Sequence, residues 1–456
     1  MFNKKKILRF FLLAVFIVLS CSASLTYMQF AGQLDKSLIN GQFDVARKQI
    51  KEARKERLYT NTDKLLYFLD LGAIEHYAGA YEQSNIYLNR AEQVMEELFT
   101  RKISQIALSY LINDNVTDYW GETYESIYIH VFKALNYNHL GDLEAALVEI
   151  RKVNIKLQEM EDRYGSFLGN LASEQELELD VDIPFFSDAL AHYLSALLYN
   201  ANQEPDQGKI SIQKLRESWN AQRNIYQSDF PENDSFLPQQ TKNLSILALT
   251  GSAPQKIEAG GMITTYEDFI GISDLSNPVA LPNIPFPGSE PGYHFKFAFP
   301  VLQQKPSKVA AIQVTLDGKD LNQLHHLEDM GRIAEYTFEN HKMFIYIKTL
   351  IRTVTKGIAA AEAKEKLKKE TEADGILGAF IDFAVDIGVD ATERADLRSW
   401  KTMPRNCFVG NYRQAPGDHQ IRLQFQDMNG NVIKTEIRRI SLSTNSVKLV
   451  EFVDMH

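Results

Sequence analysis

The stretch from Tyr124 to Val153, YESIYIHVFKALNYNHLGDLEAALVEIRKV, constrains the fold more than any other part of the chain. Apolar and small residues recur at helical spacing on both sides of Leu140-Gly141-Asp142. They are Ile127, Val131, Ala134, Leu135 and Asn138, then Leu143, Ala146, Leu147 and Ile150. The spacing predicts two antiparallel helices joined at Gly141.

Counting Gly141 as position 15 of a 34-residue repeat places Ala134 at 8, Tyr137 at 11, Leu143 at 17, Ala146 at 20 and Ile150 at 24. Those are the size-sensitive slots of a tetratricopeptide (TPR) repeat, where small residues let two helices approach and large ones fill the gap. Gly41 and Gly79 set the same register for two earlier pairs, with Phe43, Ala46, Ile50 and Ala53 after the first and Tyr81, Ser84, Leu88 and Ala91 after the second. Glu75 takes a position where an aromatic is usual, so the second repeat is degenerate. Gly41 to Gly79 spans 38 residues and Gly79 to Gly141 spans 62, which predicts an extra helix over 101–112 and a loop over 113–120. A further pair is expected at Phe186–Tyr199 and Lys209–Arg223. Residues 21–225 therefore read as an all-α, TPR-like solenoid of helical hairpins.

The N-terminus carries the strongest local signal. Lys4–Lys6 precede an apolar run, Phe10–Leu19, about half of the roughly 20 residues that span a bilayer. The run closes in Val18-Leu19-Ser20-Cys21, which resembles the lipobox of bacterial lipoproteins. Residues 1–20 are then a signal peptide and Cys21 the acylated first residue of the mature chain. Ser22, not Asp, follows Cys21, which resembles an outer-membrane address. Residues 1–20 hold four basic side chains and no acid, so a chain without them carries −14 rather than −10. Such a chain repels phosphate backbones, and nucleic acid is not an expected partner. Cys407 is the remaining thiol and reads as a buried structural residue on a strand.

Beyond residue 225 the periodicity changes. Leu244–Leu249, Tyr293–Phe299 and Val309–Leu316 read as strands, as do Phe408–Tyr412, Ile421–Gln426, Val432–Ile440 and Val447–Val453. Asn429-Gly430 marks a hairpin turn, and 271–292 reads as a Gly/Pro-rich connection. Residues of about 321–395 carry helical periodicity. The expected fold is multidomain α + β: the solenoid, then a β-sheet or sandwich domain over 226–456 with helices inserted at about 321–395.

The phrase Tyr119-Trp120-Gly121-Glu122-x-Tyr124-Glu125, with Ala134-Leu135-Asn136-Tyr137, Gly141-Asp142 and Val148-Glu149-x-Arg151, resembles an uncharacterised family of TPR-containing bacterial lipoproteins of the outer membrane. The resemblance continues in Gly251-x-Ala253-Pro254-x-Lys256-x-Glu258 and Ala395-Asp396-x-Arg398-Ser399-Trp400-x-x-Met403-Pro404. It implies location and architecture and carries over no catalytic residues.

Three sets of residues are candidates for function. Helix-A positions of the repeats predict a groove lined by Leu66, Leu69, Ala73 and His76, then Tyr128, Val131, Leu135 and Asn138. This apolar surface either takes a peptide or receives the chain's own C-terminal domain. Asp396, Arg398 and Trp400 form either a partner anchor or a clamp between domains. Asp382, Asp386 and Asp390 line one face of an expected helix, and His325-His326 with Glu328 and Asp329 read as the first turn of another; both are taken as solvated. No phosphate loop, nucleophile elbow or zinc motif occurs, and no catalytic residue, metal or cofactor is expected. The expected function is a lipid-anchored periplasmic scaffold binding protein partners in the envelope. An envelope enzyme with a carboxylate-containing interdomain site, or a surface adhesin or receptor component, is the alternative.

Overall fold

The computed structural model describes residues 29–105, 117–159 except 154 and 158, 187–274, 281–285, 291–339 except 293, and 395–456 except 445. The lipobox and the Asp382/Asp386/Asp390 stretch lie outside the described residues.

Helices α1 (29–39) and α2 (Phe43–Lys55) form the first hairpin, and α3 (Lys64–Tyr77) and α4 (Tyr81–Gln105) the second. A third joins α5 (Thr123–His139) to α6 (143–153), and a fourth joins α7 (Ala189–Ala201) to α8 (Pro205–Ala221), followed by the single turn α9 (Arg223–Tyr226). Each of the first three bends at a left-handed glycine, Gly41, Gly79 and Gly141, with φ between 65° and 79°. In each bend the N–H one residue on reaches back five residues to a carbonyl, Gln42 to Ser37, Ala80 to Glu75 and Asp142 to Tyr137, at 2.8–2.9 Å. The fourth makes the same bond, Glu204 to Tyr199, with Gln203 at φ 62° in the glycine's place. Gly72 lets α3 and α4 touch, since a Cβ there would come within 2.5 Å of Leu88 Cδ2. Helix α4 runs unbroken to Gln105, so the expected break before a separate helix at residue 101 does not occur. The degenerate position is accounted for: Glu75 is buried and paired with Arg47 of α2 at 2.6 Å.

The chain turns from helix to strand between Tyr226 and Leu244. Among the described residues twelve strands follow: β1 (Leu244–Ser252), β2 (Gln255–Tyr266), β3 (Phe269–Asp274), β4 (Leu281–Pro285), β5 (His294–Gln303), β6 (Ala311–Leu316), β7 (Lys319–Asp320), β8 (His325–Asp329), β9 (Pro404–Tyr412), β10 (Gly417–Gln426), β11 (Val432–Leu442) and β12 (Lys448–Asp454). They make three four-stranded sheets, ordered β12-β1-β9-β8, β11-β10-β6-β7 and β4-β3-β2-β5. Helix α10 (330–339) follows β8.

Two expectations fail here. His325–Asp329 is a strand paired with β9 across a bulge, not a helical turn. Residues 271–274 and 281–285, inside the stretch expected to be a connection, belong to strands β3 and β4, which pair in turn outward from β2, itself held in register by β5 over ten residues. Local pattern hid this: Gly260-Gly261 and Pro282 break the alternation that reveals a strand.

Strand β1 explains how the layers stack. It reads as an almost unbroken apolar run because both its faces are covered. Leu244, Ile246 and Ala248 join Ile312, Val314, Ile421, Leu423, Phe425 and Phe452 in a core between the first and second sheets. Leu247 and Leu249, one residue out of phase, join the helical cluster that runs from Phe30 to Met455. Helices, first sheet and second sheet are thus three successive layers. The outcome is a mixed α + β architecture in which the helices pack on the chain's own sheet.

Candidate functional site

The boundary between the helices and the first sheet is where the ionisable groups gather. Leu66, Leu69, His76, Tyr128, Val131 and Leu135 are all buried there, and only Asn138 is partly exposed. Of the two occupants expected for the groove, the structure shows the chain's own sheet. These side chains are therefore core residues rather than an open peptide surface.

His76 is the first of three buried polar centres. Its Nε2 lies 2.7 Å from Glu451 Oε1 on β12 and its Nδ1 lies 2.7 Å from Asn136 Oδ1 on α5. The neighbours fix its protonation. Ser84 Oγ donates to the Gly72 carbonyl at 2.7 Å, so it must accept from Asn136 Nδ2 at 2.9 Å. That turns Asn136 Oδ1 toward His76, leaving the ring between two acceptors. Both nitrogens then carry protons and the ring is an imidazolium. Burial alone would lower the His76 pKa, but the charge of Glu451 and the bonds to Glu451 and Asn136 outweigh it and raise it. Burial pushes Glu451 the other way, and the charge of His76 with the bonds from His139 and His76 overcomes it, lowering its pKa. His139 Nε2 bonds Glu451 Oε2 at 2.8 Å, and its ring stacks on Tyr81 at 4.4 Å. A cleft of about 410 Å³ opens beside this relay, bounded by Gly41, His76, Tyr81, Lys434, Arg438 and Glu451. Both His76 nitrogens donate and both Glu451 carboxylate oxygens accept.

The second centre is Glu125. Oε1 accepts the Trp400 N–H at 2.8 Å, and Oε2 accepts Tyr119 O–H at 2.7 Å and the Glu122 N–H at 3.0 Å. Burial, then the charge of Glu122, push its pKa up to about 7. Around it lies the predicted Asp396/Arg398/Trp400 set. Arg398 grips Asp396 through two 2.8 Å bonds and reaches the Thr117 carbonyl at 2.9 Å and Asp63 at 3.4 Å. Trp400 donates its indole N–H to Thr402 Oγ1, which donates in turn to Asp70 on α3 at 2.9 Å. The three residues bind the segment before β9 to the helices, which is the clamp arrangement.

The third centre pairs two carboxyls. Glu328 on β8 accepts from Tyr128, from Tyr226 O–H at 3.4 Å and from the Leu190 N–H at 3.1 Å. Asp188 caps α7 through Oδ1, 2.6 Å from the Ala191 N–H, while its buried Oδ2 has no hydrogen-bond partner. Burial pushes Asp188 up to about 7. Burial and then the Asp188 charge raise Glu328 well above its ordinary value. At neutral pH the pair retains a proton.

Within the helical layer, Glu92, His130 and Glu149 bring three ligand atoms within 4.8 Å of one another. They do not fit a metal, because the buried Lys133 ammonium already sits 2.7 Å from Glu92 and 3.1 Å from Glu149, with Lys152 3.1 Å from Glu149. Burial would raise Glu149, but the His130 bond and the Lys133 charge hold it down at about 2.

Of these groups the sequence reading singled out His76, Tyr128, Asp396, Arg398 and Trp400. It also named Glu328, but as a solvated residue, and it missed Glu125, Asp188 and Glu451. Glu451 had a signal: one acid in the apolar run Leu449-Val450-Glu451-Phe452-Val453. Cys407 is a buried thiol on β9, as expected, and burial pushes its pKa up. No family model, no curated protein and no solved structure matches the chain.

Proposed function

We propose that this chain is a lipid-anchored, non-catalytic scaffold of the bacterial cell envelope, built from TPR-type hairpins and facing the periplasm from the outer membrane. The observation that carries the anchor is Val18-Leu19-Ser20-Cys21 closing the apolar run Phe10–Leu19. The case against catalysis is chemical. The polar atoms of His76, Glu451 and Glu125 are committed to partners within the chain, so none is poised to move a proton to or from a substrate. Because the groove is filled, partners dock on outward surfaces. Helices α2, α4 and α6 each present an exposed aliphatic side chain, Val45, Ile86 and Val148.

The test is the intact mass of protein extracted from membranes, beside a Cys21→Ala control. The reading predicts a mature chain beginning at Cys21 and carrying acyl mass, absent in the control. An unacylated chain released into the soluble fraction contradicts it. The scaffold half is tested by co-purification from crosslinked membranes, where Val45→Glu, Ile86→Glu and Val148→Glu together are expected to lose a defined partner. Tyr128 and Leu135 are unsuitable for that test, since changing either attacks the fold.

A further inference from the structure

Among the described residues, strand β11 is the outer edge of the second sheet, eleven residues long and paired on one side only, with β10. Of the usual defences of an edge strand it keeps only charge, at Lys434, Glu436, Arg438 and Arg439. It contains no proline or glycine, and its only irregularity against β10 is at the Phe425/Gln426 end. Four exposed apolar side chains, Met428, Val432, Ile433 and Ile437, crowd within ten residues of its turn and first half. Met428 is 92% exposed and Ile437 50%.

The charge pattern on this strand is complementary to itself. Laid antiparallel so that residues 432–442 overlap a second copy of 432–442 completely, Ile437 falls on the two-fold axis opposite its own copy. Glu436 then faces Arg438 of the other strand, and by symmetry the same pair forms again. Val432 meets Leu442, Ile433 meets Ser441, Lys434 meets Ile440 and Thr435 meets Arg439, so no like charges stand directly opposite. A register centred on Glu436 or on Arg438 would bring like charges face to face at its centre. We infer that two copies of this chain associate through β11, edge to edge and antiparallel about Ile437, joining their second sheets into one continuous sheet. The pairing satisfies the backbone groups that β11 leaves toward solvent and covers Ile437. It stands on this strand alone and does not rest on the lipid anchor.

The experiment is oxidative crosslinking of the full-length, detergent-solubilised protein with copper–phenanthroline, read on a non-reducing gel. Opposite residues of an antiparallel pair lie about 4.5–5.5 Å apart at Cα, within disulfide reach. Ile437→Cys should therefore give a covalent dimer. Thr435→Cys should not, because its own copy lies four residues away, about 14 Å along the strand. The unmutated chain run alongside reports any link through Cys21 or Cys407. Sedimentation of the unmutated protein should give a dimer mass. The charge reversal Glu436→Arg should weaken that dimer at least tenfold, and Glu436→Arg with Arg438→Glu should restore it. A monomer at micromolar concentration, or crosslinking at residue 435 and not at 437, overturns the inference.

Discussion

The two faces of the first sheet are held by different physics. Toward the second sheet, the core around Ile246, Val314, Leu423, Phe425 and Phe452 is apolar, and charge enters at its β11–β12 side, where Lys434 bonds the buried Asp454 at 3.2 Å and Arg438 lies over the Phe452 ring. Toward the helices, the same strands meet Asp70, His76, Glu125, Tyr128 and Asn136, and contribute Glu328 and Glu451 themselves. An apolar core is stabilised by area removed from water and is indifferent to direction. A buried polar network tolerates only one alignment, because each donor displaced from its acceptor costs a full desolvation penalty. The contrast fits the tasks of the two boundaries. Within each sheet the strands are set by backbone ladders, whereas the helices have no ladder to the sheet and take their position from side chains.

The largest expected effect separates shape from charge. Glu451→Gln preserves shape yet leaves the His76 imidazolium without its counter-charge and His139 Nε2 without its carboxylate partner, and should cost about 3–5 kcal/mol in urea unfolding. If it costs under 1 kcal/mol, the boundary is held by packing like the sandwich, and the comparison fails.

A second prediction uses pH. His76 has a raised pKa, so its contribution is complete below its unfolded value and is lost as pH rises through the folded one. Glu125 and Asp188, both raised to about 7, also favour the fold when neutral, and their contribution is lost as pH rises from the ordinary carboxyl range up through about 7. Stability should fall as pH rises from about 4.5 to 7, by about 3 kcal/mol for Glu125 alone, with His76 adding its own loss above its ordinary value of about 6.5. Asp188→Asn should reduce the slope, read from urea midpoints at each pH. Glu451 works in the opposite sense, with a lowered pKa whose contribution is lost only as acid is added below its ordinary range. A flat profile from about pH 4.5 to 9 would count against the network.

In the sandwich, Leu423→Met roughly conserves volume and should cost less than about 1.5 kcal/mol with no change in pH dependence. Smaller still, Gln203→Gly relieves a left-handed side chain in the α7–α8 turn, outside both boundaries, and should stabilise by about 1 kcal/mol at every pH. It calibrates how a purely backbone effect appears in the same measurement.

How much of this was legible follows from where the information sits. The first three hairpins announce themselves through a helical stripe and a glycine at the bend, both local. The fourth is fainter because Gln203 stands where glycine would signal. Strands β1, β6 and β9 to β12 show as apolar runs, alternation or the Asn429-Gly430 turn. Strands β2 to β4 depend on pairing partners and do not. His325–Asp329 is too short to display a period, and the helix immediately after it lent it a helical look. The boundary is hardest of all: His76 and Glu451 are 375 residues apart, and no local pattern ties one to the other. A buried acid in a strand is visible in sequence only as an oddity until its partner is known.

The most direct measurement is the protonation state of His76, by long-range nitrogen–proton NMR of the histidine-labelled full-length protein at pH 7, with the resonance assigned through His76→Gln. The account predicts that both ring nitrogens carry protons and remain so above the pH at which an ordinary histidine titrates. A neutral ring with one bare nitrogen at pH 7 would contradict it.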